Sequence, residues 1–144
     1  MAAKLEHRAA ARNLLLRHAA LGYHTQMSID PAVISGYHAH IYYDAASRET
    51  AARLRQELGE RFDGVVGRWH DEAVGPHPIS MYQFAFAAEE FARIVPYLML
   101  NRAGLRVLVH PETGNGYRDH AINPLWLGEP VPLRFDFFPA HQRA

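Results

Sequence analysis

Ten of the 144 residues are histidines, the side chain that most often binds metals in proteins and titrates nearest neutral pH. His38 and His40 are separated by one residue in the aromatic and β-branched segment 37–43, and His110 ends another apolar segment. Side chains at positions i and i+2 of a strand project from the same side, so His38 and His40 suit two neighbouring ligands of one metal ion. Neutral imidazoles of this kind bind iron(II), zinc, copper or nickel.

The composition argues against several other chemistries. The chain has no cysteine, which excludes disulfides, thiolate zinc sites, iron–sulfur clusters and a cysteine nucleophile. Lys and Arg total 15 and so do Asp and Glu, so no net charge attracts nucleic acid or an anionic membrane surface. Apolar residues make up 49% and charged residues 21%, which is typical of a globular domain. No G-x-S-x-G or P-loop motif supports serine hydrolysis or phosphate-loop chemistry.

The beginning of the chain differs in composition from the rest. Residues 2–21 are rich in Ala, Leu, Arg and His, and their apolar run is too short for a signal sequence or a membrane span. We expect residues 1–34 to be a helical or disordered extension. Residues 35–144 are expected to form a single domain, in which an irregular C-terminal tail from residue 111 onward wraps the domain. The expected compartment is the cytoplasm.

Hydrophobic periodicity predicts the elements that position the histidines. Strands are predicted at residues 37–43, 65–70, 79–86 and 106–110, and helices at residues 46–61 and 88–102. The order β-α-β-β-α-β is the ferredoxin-like arrangement, an α+β fold. Its antiparallel sheet has the strand order 4-1-3-2 and carries both helices on one face. The first strand then lies beside the fourth, which brings His38 and His40 close to His110.

Alternation along the predicted strands separates two faces of the sheet. The apolar parity, expected to face the helices, contains Ala39, Ile41, Val65, Trp69, Tyr82, Phe84, Phe86, Val107 and Val109. The other parity contains His38, His40, Tyr42, Arg68, His70, Gln83, Arg106, Leu108 and His110. A solvated face would carry Lys, Glu, Thr and Ser, so this composition favours a functional pocket on the face that the helices leave open. Glu112 shares the parity of His110, and it is either a carboxylate ligand beside the imidazoles or an exposed turn residue.

Five short motifs resemble the DOPA 4,5-dioxygenase family, in the family's order and across residues 35–133. They are Tyr37-His38-Ala39-His40-Ile41-Tyr42, Gly75-Pro76-His77-Pro78, Val107-Leu108-Val109-His110-Pro111-Glu112-Thr113-Gly114, Asp119-His120 and Trp126-Leu127-Gly128. The resemblance implies a small cytosolic extradiol-type dioxygenase that opens the ring of a DOPA-like catechol beside its hydroxyls. It also implies iron(II) as the metal, with zinc or another divalent ion able to replace iron in a purified sample. The family tends to carry another histidine shortly before Trp-Leu-Gly, where this chain has Asn123; if the family uses that histidine, substrate choice or activity is altered here.

Ring opening requires a catecholate bound through both oxygens, a neighbouring position for dioxygen and a group that moves protons. We predict His38, His40 and His110 as the metal ligands. His77 and His120 lie outside the predicted strands and are candidates for the general acid or base. The candidate substrate-binding residues are Arg68, Tyr42 and Gln83, and either Arg68 or Arg106 can hold a substrate carboxylate in a bidentate fork.

Two other functions remain open at this point. One is a metal-free ferredoxin-like module that dimerises through its open face and binds a small molecule or nothing. The other keeps the metal but makes the chain a heme-type monooxygenase or a metal-binding protein. In addition to a small aromatic substrate and dioxygen, we expect a homodimer, in which Tyr42, Phe135, Phe137 and Phe138 bury one another across a two-fold axis.

Overall fold

The computed structural model describes residues 28–144, and residues 31–144 form one compact unit. Residues 1–27 of the predicted N-terminal extension lie outside the described residues. The last part of that extension contains one short 3-10 helix, Pro31–Val33. None of the helices within residues 28–144 has the length and apolar character needed to cross a membrane.

A five-stranded antiparallel sheet organises the domain. Its strands are β1 (Tyr37–Tyr42), β2 (Val65–Val66), β3 (Met81–Phe86), β4 (Arg106–Pro111) and β5 (Leu125–Leu127). The strand order is β2-β3-β1-β4-β5, with β1 paired to both β3 and β4. This differs from the predicted order 4-1-3-2 because the tail adds β5 at the free edge of β4. The prediction of a wholly irregular tail was therefore wrong.

Two long helices cover one face of this sheet. They are α1 (Arg48–Arg61) and α2 (Phe91–Asn101), and a short 3-10 helix, Ala88–Glu90, leads into α2. Their buried residues are Ala51, Leu54 and Leu58 of α1 and Ile94, Val95 and Leu98 of α2. These side chains share one core with the apolar parity of β1, β3 and β4. Removing this apolar surface from water is the main force that holds the helices on the sheet.

The segment after β2 departs from the predicted strand. Val66 packs against the core, whereas Val65 is 70% exposed, which reverses the predicted side for Val65. Regular pairing stops at Gly67, whose amide donates to the Gln83 carbonyl at 2.7 Å. A Cβ at Gly67 would lie only 3.0 Å from that oxygen, so the close approach requires glycine. After Gly67 the alternation of side chains between the two faces of the sheet is shifted by one residue, so Val66 and Trp69 both pack against the core.

The C-terminal tail covers the face that was predicted to be open. A second apolar cluster fills that side, consisting of Tyr42, Met81, Leu108, Val131 and Leu133, with Val74, Ile79 and Trp126 packed around it. The Arg134 amide donates to the Pro76 carbonyl at 2.9 Å, which holds the tail against the loop between β2 and β3. A third and shorter helix, α3 (Gly116–Ala121), also belongs to this segment. Both faces of the sheet are consequently buried.

This covering also corrects the residues proposed for a dimer interface. Tyr42 and Phe138 are buried inside the protomer and cannot meet a second copy in this arrangement. Phe135 and Phe137 remain 38% and 59% exposed. The homodimer itself stays a prediction, with a smaller set of aromatic residues available to it.

Candidate metal centre

Five histidines converge beneath the tail, on the side of the sheet opposite α1 and α2. They are His38 and His40 on β1, His77 in the loop between β2 and β3, His110 on β4 and His120 on α3. His38 lies directly opposite His110 in the antiparallel register. The β1–β4 pairing therefore brings together two histidines that are 72 positions apart in the sequence, as the strand pattern predicts.

His40 and His110 approach each other through their ring nitrogens. Their Nε2 atoms are 3.0 Å apart, and their rings are nearly parallel, with an interplanar angle of 15°. Two nitrogens bound in neighbouring positions of a metal, at bonds of about 2.0–2.1 Å, lie roughly 2.9 Å apart. The buried Nδ1 of His40 has no hydrogen-bond partner among the described residues. The Nε2–Nε2 distance fits a pair of imidazoles arranged to share a cation.

Backbone carbonyls fix the tautomers of two histidines. His110 Nδ1 is 2.9 Å from the Pro111 oxygen, and His120 Nδ1 is 2.8 Å from the Gly116 oxygen. A carbonyl can only accept, so in each neutral ring Nδ1 carries the proton and Nε2 keeps a free lone pair. Metal-binding histidines in proteins typically have their second nitrogen held in this way.

Within residues 28–144, two overlapping sets of three histidines can hold a metal ion. One consists of His38, His40 and His110, and the other of His40, His77 and His120; within each set, one nitrogen from each residue lies within 4.8 Å of the others. His40 belongs to both sets. The geometry therefore supports the predicted ligand set but also offers an alternative that uses the loop and helix histidines.

Burial makes all five imidazoles poor bases. It lowers the pKa of His77 and of His110 to about 3, and that of His40 well below its ordinary value. Neighbouring imidazoles lower each of these pKa values further, since each would have to share the site with other positive charges. The pKa values of His38 and His120 are lowered in the same direction, first by burial. The rings are thus neutral near pH 7, the state in which imidazole binds metals.

Two carboxylates border the histidines. Glu112 Oε1 is 3.2 Å from His38 Nδ1 and 3.6 Å from His110 Nδ1, and burial together with the Asp119 charge raises the pKa of Glu112. Asp119 is itself buried and accepts hydrogen bonds from the Thr113 hydroxyl at 2.6 Å and the Thr113 amide at 3.0 Å. These bonds tie the start of α3 to the turn that carries Glu112.

Asp119 was not singled out for a role from the sequence. The available signal was its place beside His120, six residues after a threonine in a turn. Strand or helix periodicity does not specify hydrogen bonds such as those between Asp119 and Thr113, which join a helix to the preceding turn. Its function as a clamp becomes visible only when the turn and α3 are seen together.

The predicted substrate-binding residues have different surroundings. Gln83 is half-buried and lies directly opposite His40 in the β1–β3 register, beside the histidines. Tyr42 is buried, and its hydroxyl is 2.7 Å from His77 Nδ1. Arg68 is exposed in the segment where pairing with β3 is interrupted, and its assignment to substrate binding stays a prediction. Asn123 is also exposed, and its backbone N–H donates to the Arg118 carbonyl near the end of α3.

Comparison with known proteins connects this histidine cluster to one family. The sequence profile of the Dopa 4,5-dioxygenase family matches residues 37–137. The chain belongs to this family. The family match includes all five converging histidines and extends across β5 and most of the tail that covers them.

Two curated relatives and one solved structure indicate how far the likeness extends. A DOPA 4,5-dioxygenase of Amanita muscaria is 35% identical over 134 residues, covering 81% of this chain and 59% of that protein. An uncharacterised 21.2 kDa protein of Botryotinia fuckeliana is 32% identical over 118 residues, covering 73% of this chain and 64% of that protein. The chain thus spans about three fifths of the length of these curated relatives. The crystal structure of a candidate dioxygenase from Nostoc punctiforme is 54% identical with a TM-score of 0.76, covering 76% of this chain and 96% of that one.

Proposed function

We propose that this chain is a metal-dependent dioxygenase that opens the ring of a DOPA-like catechol by extradiol-type cleavage. The observation that carries the proposal is the 3.0 Å approach of His40 Nε2 to His110 Nε2 in a neutral and buried cluster of imidazoles. In the metal-free protein His40 Nε2–H can donate to the lone pair of His110 Nε2, and a cation that replaces this proton can bind both rings. Membership of the Dopa 4,5-dioxygenase family supplies the reaction class.

We assign the metal to His38, His40 and His110, and we propose iron(II), with zinc or another divalent ion able to replace it in purified protein. When bound, such a metal would hold the catechol oxygens and offer a neighbouring position to dioxygen. The outer nitrogens of His38 and His110 have acceptors in Glu112 and Pro111, which leaves the inner nitrogens free to bind.

The remaining residues of the cluster suit binding and proton handling. Gln83, beside His40, can hydrogen-bond a catechol oxygen. His77 and His120 are placed to move a proton to or from the substrate. Arg106 lies opposite Tyr42 on β4 and lines a cavity of about 850 Å³ at that end of β1. Arg106 is therefore better placed than Arg68 to receive a substrate carboxylate.

The decisive experiment is anaerobic loading of the protein with iron(II), followed by oxygen and a panel of catechols that includes DOPA. We expect stoichiometric metal and a yellow ring-opened product. A His40→Ala variant should lose both, while His141→Ala, which removes an exposed histidine outside the cluster, should keep both. A wild-type protein that takes up no metal would instead support the metal-free binding module. Metal uptake without cleavage of any catechol would favour a metal-binding protein.

We also propose that the protein is a cytoplasmic homodimer. The exposed Phe135 and Phe137 are the aromatic side chains left to such an interface. Sedimentation at high micromolar concentration tests the assembly, and a monomer there would contradict it.

A further inference from the structure

The Tyr42 hydroxyl stands out among the polar groups of the buried site. The Tyr42 ring stacks on Trp126 at a centroid distance of 5.9 Å, and only 2% of the residue is exposed. Its hydroxyl lies 2.7 Å from His77 Nδ1, the hydrogen-bond partner that the described residues give it. A substrate would have to displace this short bond in order to use the Tyr42 hydroxyl.

The direction of this hydrogen bond follows from the donors and acceptors available. A phenol has one proton to donate, and a buried proton without an acceptor is strongly unfavourable in apolar surroundings. If His77 Nδ1–H donated to the phenol oxygen, the Tyr42 proton would have no acceptor among the described residues. When the Tyr42 hydroxyl donates to Nδ1, both groups are satisfied. In neutral His77 the ring proton then resides on Nε2.

This tautomer is the opposite of the one found at His110 and His120. Both of those rings face a carbonyl through Nδ1, which leaves Nε2 free to bind a metal. His77 faces a hydroxyl donor, so its Nε2 carries a proton and is not a ligand. The difference depends on the partner atom alone, because all three rings are neutral and at least half-buried.

We propose that Tyr42 is a positioning residue that fixes His77 as the Nε2–H tautomer, making His77 a hydrogen-bond donor to the bound substrate and not a metal ligand. This inference rests on the proposed dioxygenase function for its catalytic part, and on the Tyr42–His77 geometry for its structural part. It selects the metal set His38, His40 and His110 over the set that contains His77. It also changes the role of Tyr42, which the sequence suggested as a substrate-binding residue.

The structural part is tested by nitrogen-15 NMR of the histidine rings in the metal-free protein near neutral pH. We expect His77 to carry its proton on Nε2 in the wild type, and His110 and His120 to carry theirs on Nδ1. In Tyr42→Phe, which keeps the aromatic ring, His77 should become a mixture of tautomers. Tyr82→Phe is the matched control, because the Tyr82 hydroxyl is equally buried but donates to the Ala51 carbonyl on the helix side. A wild-type His77 protonated on Nδ1 would overturn the proposal.

The catalytic part is tested by metal content and steady-state kinetics with the catechol that the wild type cleaves. Tyr42→Phe and His77→Ala should both retain the full metal content. Tyr42→Phe should lower kcat by about 10–100-fold, the usual effect of losing an orienting partner, with KM nearly unchanged. A raised KM with unchanged kcat would return Tyr42 to substrate binding, and loss of metal in His77→Ala would make His77 a ligand. If the wild type cleaves no catechol, the dioxygenase proposal fails, while the NMR and metal results still decide the tautomer.

Discussion

The two faces of the sheet are buried to a similar extent but are built for different purposes. On the helix side, Phe84 and Val107 are fully buried in apolar surroundings, and the buried Tyr82 hydroxyl has a carbonyl acceptor. On the tail side, His40 and His110 are almost as deeply buried, and yet His40 Nδ1 has no partner among the described residues. The helix side thus approaches a core whose polar groups are hydrogen-bonded, whereas the tail side keeps a buried imidazole nitrogen without a hydrogen-bond partner among the described residues.

The comparison shows how burial can serve a site as well as a core. A polar group that is removed from water without a partner destabilises the protein, so each such group needs an explanation, of which a functional site is one. The helix side has one such atom too, Arg55 Nε, but that guanidinium still donates through Nη2 to the Gly67 carbonyl at 2.7 Å. The unpaired His40 Nδ1, beside four other imidazoles, is therefore the atom that distinguishes the tail side from the helix side.

The largest expected effect separates the two faces by function. His110→Ala should eliminate metal binding and ring cleavage, because it removes a nitrogen 3.0 Å from His40 Nε2. Phe84→Ala should leave the metal content of the folded protein intact while lowering the free energy of unfolding by about 3–5 kcal/mol, since Phe84 is fully buried in the core. Metal analysis and urea denaturation of both variants measure the two effects.

A milder pair guards against loss of the fold in that experiment. His110→Gln and Phe84→Leu keep more of the side-chain volume. His110→Gln should lower metal binding and ring cleavage, and Phe84→Leu should lower the free energy of unfolding, each by less than the alanine variant does. If His110→Ala or His110→Gln retained full metal and full turnover, the metal ligands would lie elsewhere. The proposed functional difference between the two faces of the sheet would then be wrong.

The juxtaposition of His38, His40 and His110 could be predicted because it depends on two regular features. Side chains alternate with period two along a strand, and antiparallel pairing of β1 with β4 fixes which residues are opposite. The same rules identified the apolar side of β1, β3 and β4 and the buried stripe of α1. Local periodicity was sufficient wherever the chain stayed in a regular element.

The prediction failed where contacts are not periodic. Val131, Leu133 and Phe138 bury themselves against the sheet and α3 from a tail with no helical or strand pattern, so their covering role could not be read from spacing. The interruption at Gly67 lets Val66 and Trp69, three residues apart, both pack against the core, which strict alternation along a strand does not allow. In both cases tertiary contacts decided the outcome.

A second and smaller effect concerns the support of the ligands. Glu112→Gln should weaken metal affinity by about 10–100-fold, because a neutral amide holds the outer nitrogen of His38 less firmly than a carboxylate does. Competition with a coloured chelator measures the change, and Glu129→Gln, an exposed carboxylate elsewhere, is the control. Complete loss of metal in Glu112→Gln would show that Glu112 is a ligand and not a support.

The smallest expected effect compares the pH dependence of the two faces in metal-free protein. Burial lowers the pKa of His77 and of His110 to about 3, whereas imidazole in an unfolded chain titrates near its ordinary value of 6.5. Between these values the unfolded state binds more protons, so the free energy of unfolding must fall as the pH falls below about 6.5. Each group contributes at most about 1.4 kcal/mol per pH unit. On the helix side, burial raises the pKa of Tyr82, which leaves its contribution constant throughout this acidic range.

Urea denaturation of the metal-free protein at several pH values between about 7 and about 5 measures this slope. His110→Gln should show a shallower slope, since one buried imidazole no longer contributes, and Tyr82→Phe should show the wild-type slope at lower overall stability. Equal slopes in the wild type and His110→Gln would mean that His110 is already solvated or protonated in the folded state. The histidine cluster would then be an ordinary solvated surface, and its burial would no longer support a metal site.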